Sequence, residues 1–119
     1  MKNILIIGDN IREINKLRRH FIGGFKVSAT NSAENALSVM QNKATDLAVF
    51  HAGADLSPMF GFYKGLRKNP ATESLPLLVI AAPAALYALS ETVTLRNTVV
   101  VDSGVSEDDM EGVINSVLG

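Results

Sequence analysis

Three unbroken apolar runs constrain the fold of this chain more than any other feature. Residues 4–7, 47–50 and 77–80 contain only Ile, Leu, Val, Ala and Phe. A strand that is apolar along its whole length is covered on both faces, as strands are in a parallel sheet. Residues 99–101 form an all-valine run, and the alternating residues 25–29 indicate an edge strand. The chain is therefore predicted to contain a parallel sheet of five strands.

Between these runs the apolar residues recur at helical spacing. Asn10 with Glu13, and Ser106 with Asp109, have the spacing of N-terminal helix caps. Strand and helix thus alternate five times with short connections. Right-handed crossovers arrange such a chain as a three-layer αβα sandwich of the flavodoxin-like (βα)5 class, with strand order 2-1-3-4-5. We expect one domain over residues 1–119.

Composition excludes several classes of function. Eleven Lys and Arg against 12 Asp and Glu give a net charge of −1, so no overall basic field attracts nucleic acid or an anionic membrane. The absence of cysteine rules out disulfides, thiolate zinc sites and thiol catalysis. No apolar run is long enough to predict a membrane span or a signal segment. We expect a cytoplasmic protein.

The carboxyl ends of the strands are the first place to look for a site. In doubly wound sheets ligands bind in the crevice at this edge. The chain places Gly8 and Asp9 after the first run, His51 after the third strand, and Asp102 after the last. These residues form the candidate functional site.

Segments from most of the chain resemble the receiver domains of response regulators in bacterial two-component signalling. The order and spacing of these segments match the family's first βα unit, second helix, third strand and third helix, and the stretch that runs through the fourth strand. The segments are residues 3–10, 32–37, 46–50, 61 and 66–82. The resemblance implies the same flavodoxin-like fold and a role in signal transduction.

The resemblance also assigns the positions of a phosphorylation pocket, and this chain departs from the family at most of them. Gly8 and Asp9 stand where family members carry two acids that help to bind Mg²⁺, so Asp9 is the only metal-binding candidate kept from that pair. His51 stands at the position of the phosphate-accepting aspartate. The usual nucleophile is therefore missing.

The remaining pocket positions differ as well. Ala81 replaces the family's hydroxyl residue, Val99 its switch aromatic, and Asp102 its lysine. A transferred phosphoryl group would then face a carboxylate where the family offers an ammonium. Phosphoryl transfer to aspartate needs a carboxylate nucleophile, oxygen ligands for Mg²⁺ and positive charge at the phosphoryl oxygens. We predict a pseudo-receiver without cofactor or enzymatic activity, whose function is protein–protein recognition.

The predicted fourth helix, from Pro83 to Leu89, is apolar on nearly all sides and cannot bury every side against one sheet. Leu86, Tyr87 and Leu89 are the candidate interface residues. In receivers the face formed by the fourth helix, fifth strand and fifth helix commonly pairs with another subunit. We therefore expect a homodimer or a protein partner at this face. The alternative is a short connector without an interface.

The first predicted helix is locally basic. Its positive or titratable residues are Arg12, Lys16, Arg18, Arg19 and His20. Most runs of this kind are solvated helix faces. The alternative is a docking surface for an acidic partner.

His51 supports three other hypotheses. It could form a hydrogen bond with Asp102 or Asp9. The family's acidic Asp corresponds here to His51 and its basic Lys to Asp102, so the acid and the base have changed places. It could bind a transition metal with Asp9 and either Asp55 or Asp102. It could carry phosphotransfer or enzymatic chemistry with these acids. A small-molecule-binding flavodoxin-like domain is a further alternative.

Overall fold

Five strands and five helices alternate along the chain. The structure is a computed structural model that describes residues 2–42, 44–52, 55–92 and 95–118, with side chains described except at 41–42 and 88–92. The elements are β1 (Asn3–Ile7), α1 (Ile11–Phe21), β2 (Lys26–Thr30), α2 (Ala33–Asn42), β3 (Leu47–His51), α3 (Ser57–Lys68), β4 (Leu77–Ala81), α4 (Pro83–Thr92), β5 (Thr98–Asp102) and α5 (Glu107–Leu118).

The strands form one parallel sheet with the order β2-β1-β3-β4-β5, which confirms the predicted flavodoxin-like topology. The central strands are those of the three apolar runs, and they are buried along almost their whole length. Ile6, for example, pairs with Val49, which pairs with Leu78. Continuous apolarity predicted this arrangement because helices cover both faces of these strands.

Two apolar cores lie on opposite faces of the sheet. One packs α2, α3 and the start of α4 around Phe62, Leu66 and Met59. The other packs α1 and α5 around Ile14, Phe21 and Ile114. Helix α5 therefore lies in the same layer as α1, which matters for the surfaces described below.

The predicted helix caps are present. Asn10 Oδ1 accepts a hydrogen bond from the Glu13 amide at 3.2 Å, and Ser106 Oγ accepts one from the Asp109 amide at 3.2 Å. Helix α4 extends beyond the predicted end at Leu89, to Thr92. Within the described residues no helix is long and apolar enough to cross a membrane.

One buried arginine holds the amino ends of β4 and β5. Arg67, near the end of α3, is only 8% exposed. Its guanidinium donates to five backbone carbonyls at 2.7 to 3.4 Å, those of Thr72, Glu73, Leu75, Arg96 and Asn97. One side chain thus connects the segment before β4 with the segment before β5.

Tyr63 completes this arginine network. Its ring lies 5.3 Å from Cζ of Arg67, and its hydroxyl accepts a hydrogen bond from the Arg96 amide at 2.8 Å. This bond lowers the pKa of Tyr63 because the Arg96 amide stabilises the phenolate, and partial burial opposes the shift. The network ties α3 to the segment before β5.

Candidate functional site

The carboxyl edge of the sheet contains an open cavity of about 260 Å³. Gly8, Asp9 and His51 line it, together with Asp55 from the loop before α3. The cavity therefore brings together the two residues that follow β1 and the last residue of β3. These are the three predicted pocket residues that the structure groups around one space.

Gly8 is buried where β1 and β3 come close together. A Cβ atom built on Gly8 would lie 3.1 Å from His51 Cβ and 3.2 Å from both the His51 carbonyl oxygen and Ile14 Cδ1. These separations are tighter than ordinary van der Waals contacts, so a side chain here would push the neighbouring atoms apart. A methyl group at residue 8 would therefore require these neighbours to move by a few tenths of an ångström.

His51 separates two cavities. Besides the cavity that it shares with Asp9, its side chain lines a second one of about 70 Å³ between α1 and the start of α5. The Nδ1 atom is buried, and among the described residues it has no hydrogen-bond partner. An imidazole nitrogen that has left water without gaining a partner is energetically unfavourable, and such atoms merit a functional explanation.

Among the described residues, the hypothetical bond between His51 and Asp102 or Asp9 is not present. The side chains of all three residues are described, and none of them pairs with another. Asp102 Oδ1 instead accepts a hydrogen bond from the Gly104 amide at 2.8 Å, inside the turn that follows β5. Asp9 is exposed to solvent. Position at a strand end did not determine which way these side chains point.

Asp55 carries the second carboxylate of the larger cavity. It is exposed, and its Oδ1 accepts a hydrogen bond from the Ser57 amide at 3.0 Å. This bond, followed by one from the Ser57 side chain, holds the pKa of Asp55 below its usual value. The carboxyl group is therefore ionised at neutral pH.

The other predicted pocket residues do not line this cavity. Ala81 is fully buried and offers only a methyl group, and its carbonyl oxygen accepts from the Ser103 amide at 2.8 Å. Val99 is 37% exposed and lines a surface groove beside α5. Asp102 lies at the far strand of the sheet. Only Gly8, Asp9 and His51 meet as predicted.

The metal hypothesis lacks a ligand set. Across the described part of the chain, no three His, Asp or Glu side chains come close enough to hold a metal ion. Asp9, Asp55 and His51 share a cavity without converging on one point. The described residues therefore offer no support for the alternative of a transition-metal site.

Sequence reasoning missed the smaller cavity. Its polar lining comes from both α1 and α5 and includes Lys16, His20 and Glu107. His20 Nδ1 lies 3.8 Å from Glu107 Oε2, a loose contact that links the two helices. Residues so far apart in sequence give no local pattern, so only the packing of α1 against α5 reveals them.

The candidate interface residues on α4 are in part exposed. Tyr87 is 67% exposed and Leu86 is half-buried. The side chain of Leu89 lies outside the described residues. The fourth helix therefore presents an aromatic side chain to solvent, as its composition indicated.

Comparison with known proteins places this architecture. No protein-family model matches the chain, and no curated protein matches it. Solved structures, in contrast, match the chain over nearly its whole length. The chain has the fold of receiver domains.

A putative response regulator from Chloroflexus aurantiacus J-10-fl superposes with a TM-score of 0.83 at 21% identity, over 98% of this chain and 97% of the other. The chemotaxis response regulator CheY4 of Vibrio cholerae gives a TM-score of 0.84 at 16% identity, over 99% of each chain. The signal receiver domain of a histidine kinase from Syntrophus aciditrophicus gives 0.82 at 12% identity, over 99% of this chain and 90% of the other. The TM-scores of 0.82 to 0.84 establish the shared fold, and at these low identities they show the fold alone.

Proposed function

We propose that this chain is a receiver-like domain of two-component signalling that acts as a protein-interaction module without phosphorylation on aspartate. The observation that carries the proposal is the close approach of Gly8 to His51 at the carboxyl edge. A side chain at residue 8 would crowd the atoms around it, and the third strand ends in an imidazole.

Magnesium chemistry does not fit the residues of this edge. Mg²⁺ requires oxygen ligands in near-octahedral order, usually including carboxylates. Gly8 supplies no side chain, Asp102 is engaged by the Gly104 amide, and His51 presents nitrogen. Asp9 and Asp55 remain as separate exposed carboxylates. We therefore derive no step that involves this ion.

Phosphoryl transfer would also lack its electrostatic support. The transferred group needs positive charge or hydrogen-bond donors at its oxygens. Ala81 has no hydroxyl group, and Asp102 is an acid at the end of β5. The described lining of the cavity that holds Asp9 contains two carboxylates and no lysine or arginine. Such a space repels a phosphoryl donor.

Recognition by a protein is the function that remains for this edge and its neighbouring face. Helix α4 exposes Tyr87, and β5 exposes Val99 at the edge of the sheet. We propose that α4, β5 and α5 form the contact face toward a protein partner or a second copy. Exposed aromatic residues are frequent anchors of protein interfaces.

Intact-mass measurement after incubation with acetyl phosphate and Mg²⁺ tests the proposal. We expect an unchanged mass, because no carboxylate is positioned as a nucleophile. Asp9→Asn serves as the matched control, since it removes the one acid kept from the metal-binding pair. A phosphoryl adduct in the wild type that is lost in Asp9→Asn would contradict the proposal.

Phosphotransfer on His51 is a second candidate, favoured by the position of His51 in the lining of two cavities. Its buried Nδ1 atom would have to turn toward one of these cavities to accept a phosphoryl group. An acid-labile adduct in the same mass experiment, absent from His51→Gln, would support this alternative. Absorbance of a co-purified ligand would instead indicate a small-molecule-binding domain.

A further inference from the structure

The layer formed by α1 and α5 carries its charges asymmetrically. Helix α1 contains four Lys or Arg residues and a single acid, whereas α5 contains four acids and no cation. The acid of α1, Glu13, is half-buried and lines the cavity between the two helices. The outer side of α1 is therefore wholly basic among its ionisable residues.

The basic residues flank a shallow groove on the side of α1 that faces away from α5. Arg12, Arg18 and Arg19 line this groove together with Ile22, which is 64% exposed. The residues of α1 that face α5 are different ones, including Leu17 and His20. We call the surface formed by Arg12, Arg18, Arg19 and Ile22 the basic flank.

An acidic groove lies at the opposite end of the same layer. Asp108 and Asp109 line it together with Val99 of β5 and Val113 of α5. Gly112 also lines the groove, and a Cβ atom built there would meet nothing within 4 Å. We call the surface formed by Val99, Asp108, Asp109, Gly112 and Val113 the acidic flank.

The two flanks are complementary in charge. One offers arginines beside the exposed Ile22, and the other offers aspartates beside a groove with open space at Gly112. Pairing across such a contact would bring opposite charges together and remove Ile22 from water. The net charge of −1 leaves little long-range repulsion between copies.

We propose that the basic flank of one copy of this chain binds the acidic flank of the next, head to tail. The two flanks lie at opposite ends of the molecule, so the contact is heterologous, and each added copy leaves one flank of each kind free. The assembly therefore extends beyond a dimer. This inference rests on the proposed function, since it identifies the partner of the interaction module as another copy.

Sedimentation equilibrium over a range of protein concentrations tests the inference. At an ionic strength of about 0.01 M, where charges interact over about 30 Å, the mean mass should rise with concentration past twice the monomer mass. At about 1 M salt, where charges interact over only about 3 Å, the mean mass should return to the monomer mass of 12.7 kDa. A mass of 12.7 kDa at every concentration in low salt would overturn the inference.

Two double variants isolate the flanks. Arg18→Ala with Arg19→Ala disables the basic flank, and Asp108→Asn with Asp109→Asn disables the acidic flank. Each should weaken association by about tenfold or more, and an equimolar mixture should form dimers and nothing larger. Lys64→Ala with Lys68→Ala, on exposed positions of α3, makes the same charge change as the arginine variant and should assemble like the wild type.

A third variant tests whether the groove of the acidic flank is part of the contact, without changing any charge. Gly112→Gln fills the groove of the acidic flank without changing the charge, and it improves helix propensity at an exposed position. It should remain folded and fail to assemble. Assembly that survives in Gly112→Gln and in both double variants would place the interface elsewhere and overturn the inference. These outcomes do not depend on the acetyl phosphate result, so the two proposals fail separately.

Discussion

The polar side chains at the two ends of the parallel sheet differ in how many hydrogen bonds they form. At the amino ends of β4 and β5, the guanidinium of Arg67 donates to five backbone carbonyls that close two loops. At the carboxyl ends, His51 Nδ1 has no hydrogen-bond partner among the described residues, and Asp9 and Asp55 face solvent.

This difference indicates a structural role for the side chain at the amino ends and a role in recognition for those at the carboxyl ends. A buried cation whose guanidinium donates to five carbonyls stabilises the fold, although its Nε atom has no hydrogen-bond partner among the described residues. Asp9 and Asp55 instead remain exposed beside an open cavity, where a ligand or partner could reach them. The general tendency of doubly wound sheets to place ligands at their carboxyl edge agrees with this division.

Replacing Arg67 is expected to give the largest effect. Arg67→Met keeps the apolar stem and removes the donors of five carbonyls, so the free energy of unfolding should fall by about 3 kcal/mol or more in urea denaturation. Lys68→Met is the control, because Lys68 is the exposed neighbour of Arg67 on α3 and takes no part in the network. Its effect should stay within about 0.5 kcal/mol. Equal losses of unfolding free energy in both variants would show that Arg67 has no special role at the amino ends of β4 and β5.

Adding a methyl group at Gly8 should give the next largest effect. Gly8→Ala places a Cβ atom at 3.1 to 3.2 Å from His51 and Ile14, which should cost about 1 to 2 kcal/mol of unfolding free energy. Gly61→Ala is the control, since its Cβ meets nothing within 4 Å and lies in α3, where Ala is favoured by about 1 kcal/mol. A tolerated Gly8→Ala would show that the carboxyl edge has room for a side chain.

Tyr63 tests the hydrogen bond that links α3 to the segment before β5. Tyr63→Phe removes the acceptor of the Arg96 amide and should cost about 1 kcal/mol. In a Tyr87→Phe background, ultraviolet titration should show Tyr63 ionising below the ordinary tyrosine pKa of 10.0. Because the folded-state pKa is lowered, ionisation adds stability as the pH rises through that value. A pKa at or above 10.0 would contradict the bond.

His51 should give the smallest effect on stability. His51→Leu removes a buried nitrogen that lacks a partner, so the free energy of unfolding should stay constant or rise by up to about 1 kcal/mol. Urea denaturation at neutral pH measures it. A loss above about 1 kcal/mol would mean that the imidazole stabilises the carboxyl edge, and the contrast with Arg67 would weaken.

The sequence predicted the fold better than it predicted the site, for physical reasons. Continuous apolar strands and the caps at Asn10 and Ser106 are local patterns, and they determine which elements form and how they are layered. The same reasoning placed Asp9 and His51 at one edge. It did not determine side-chain direction, so the hypothesis of a bond between His51 and Asp102 or Asp9 could not be decided from the sequence.

The arginine network shows what a sequence pattern cannot reveal. Every acceptor of Arg67 is a backbone carbonyl, and backbone carbonyls are present at every position of any chain. No acidic partner marks the site in the sequence. Likewise, the cavity between α1 and α5 combines residues that only tertiary packing brings together.

Titration with beryllofluoride and Mg²⁺, followed by backbone amide NMR, tests the central proposal most directly. The two reagents together mimic a phosphoryl group on an aspartate. The account predicts that the amide signals of Asp9, His51 and Ala81 do not move beyond those of a matched MgCl₂ control. Saturable shifts at these residues that require both reagents would show a working acceptor pocket and contradict the account.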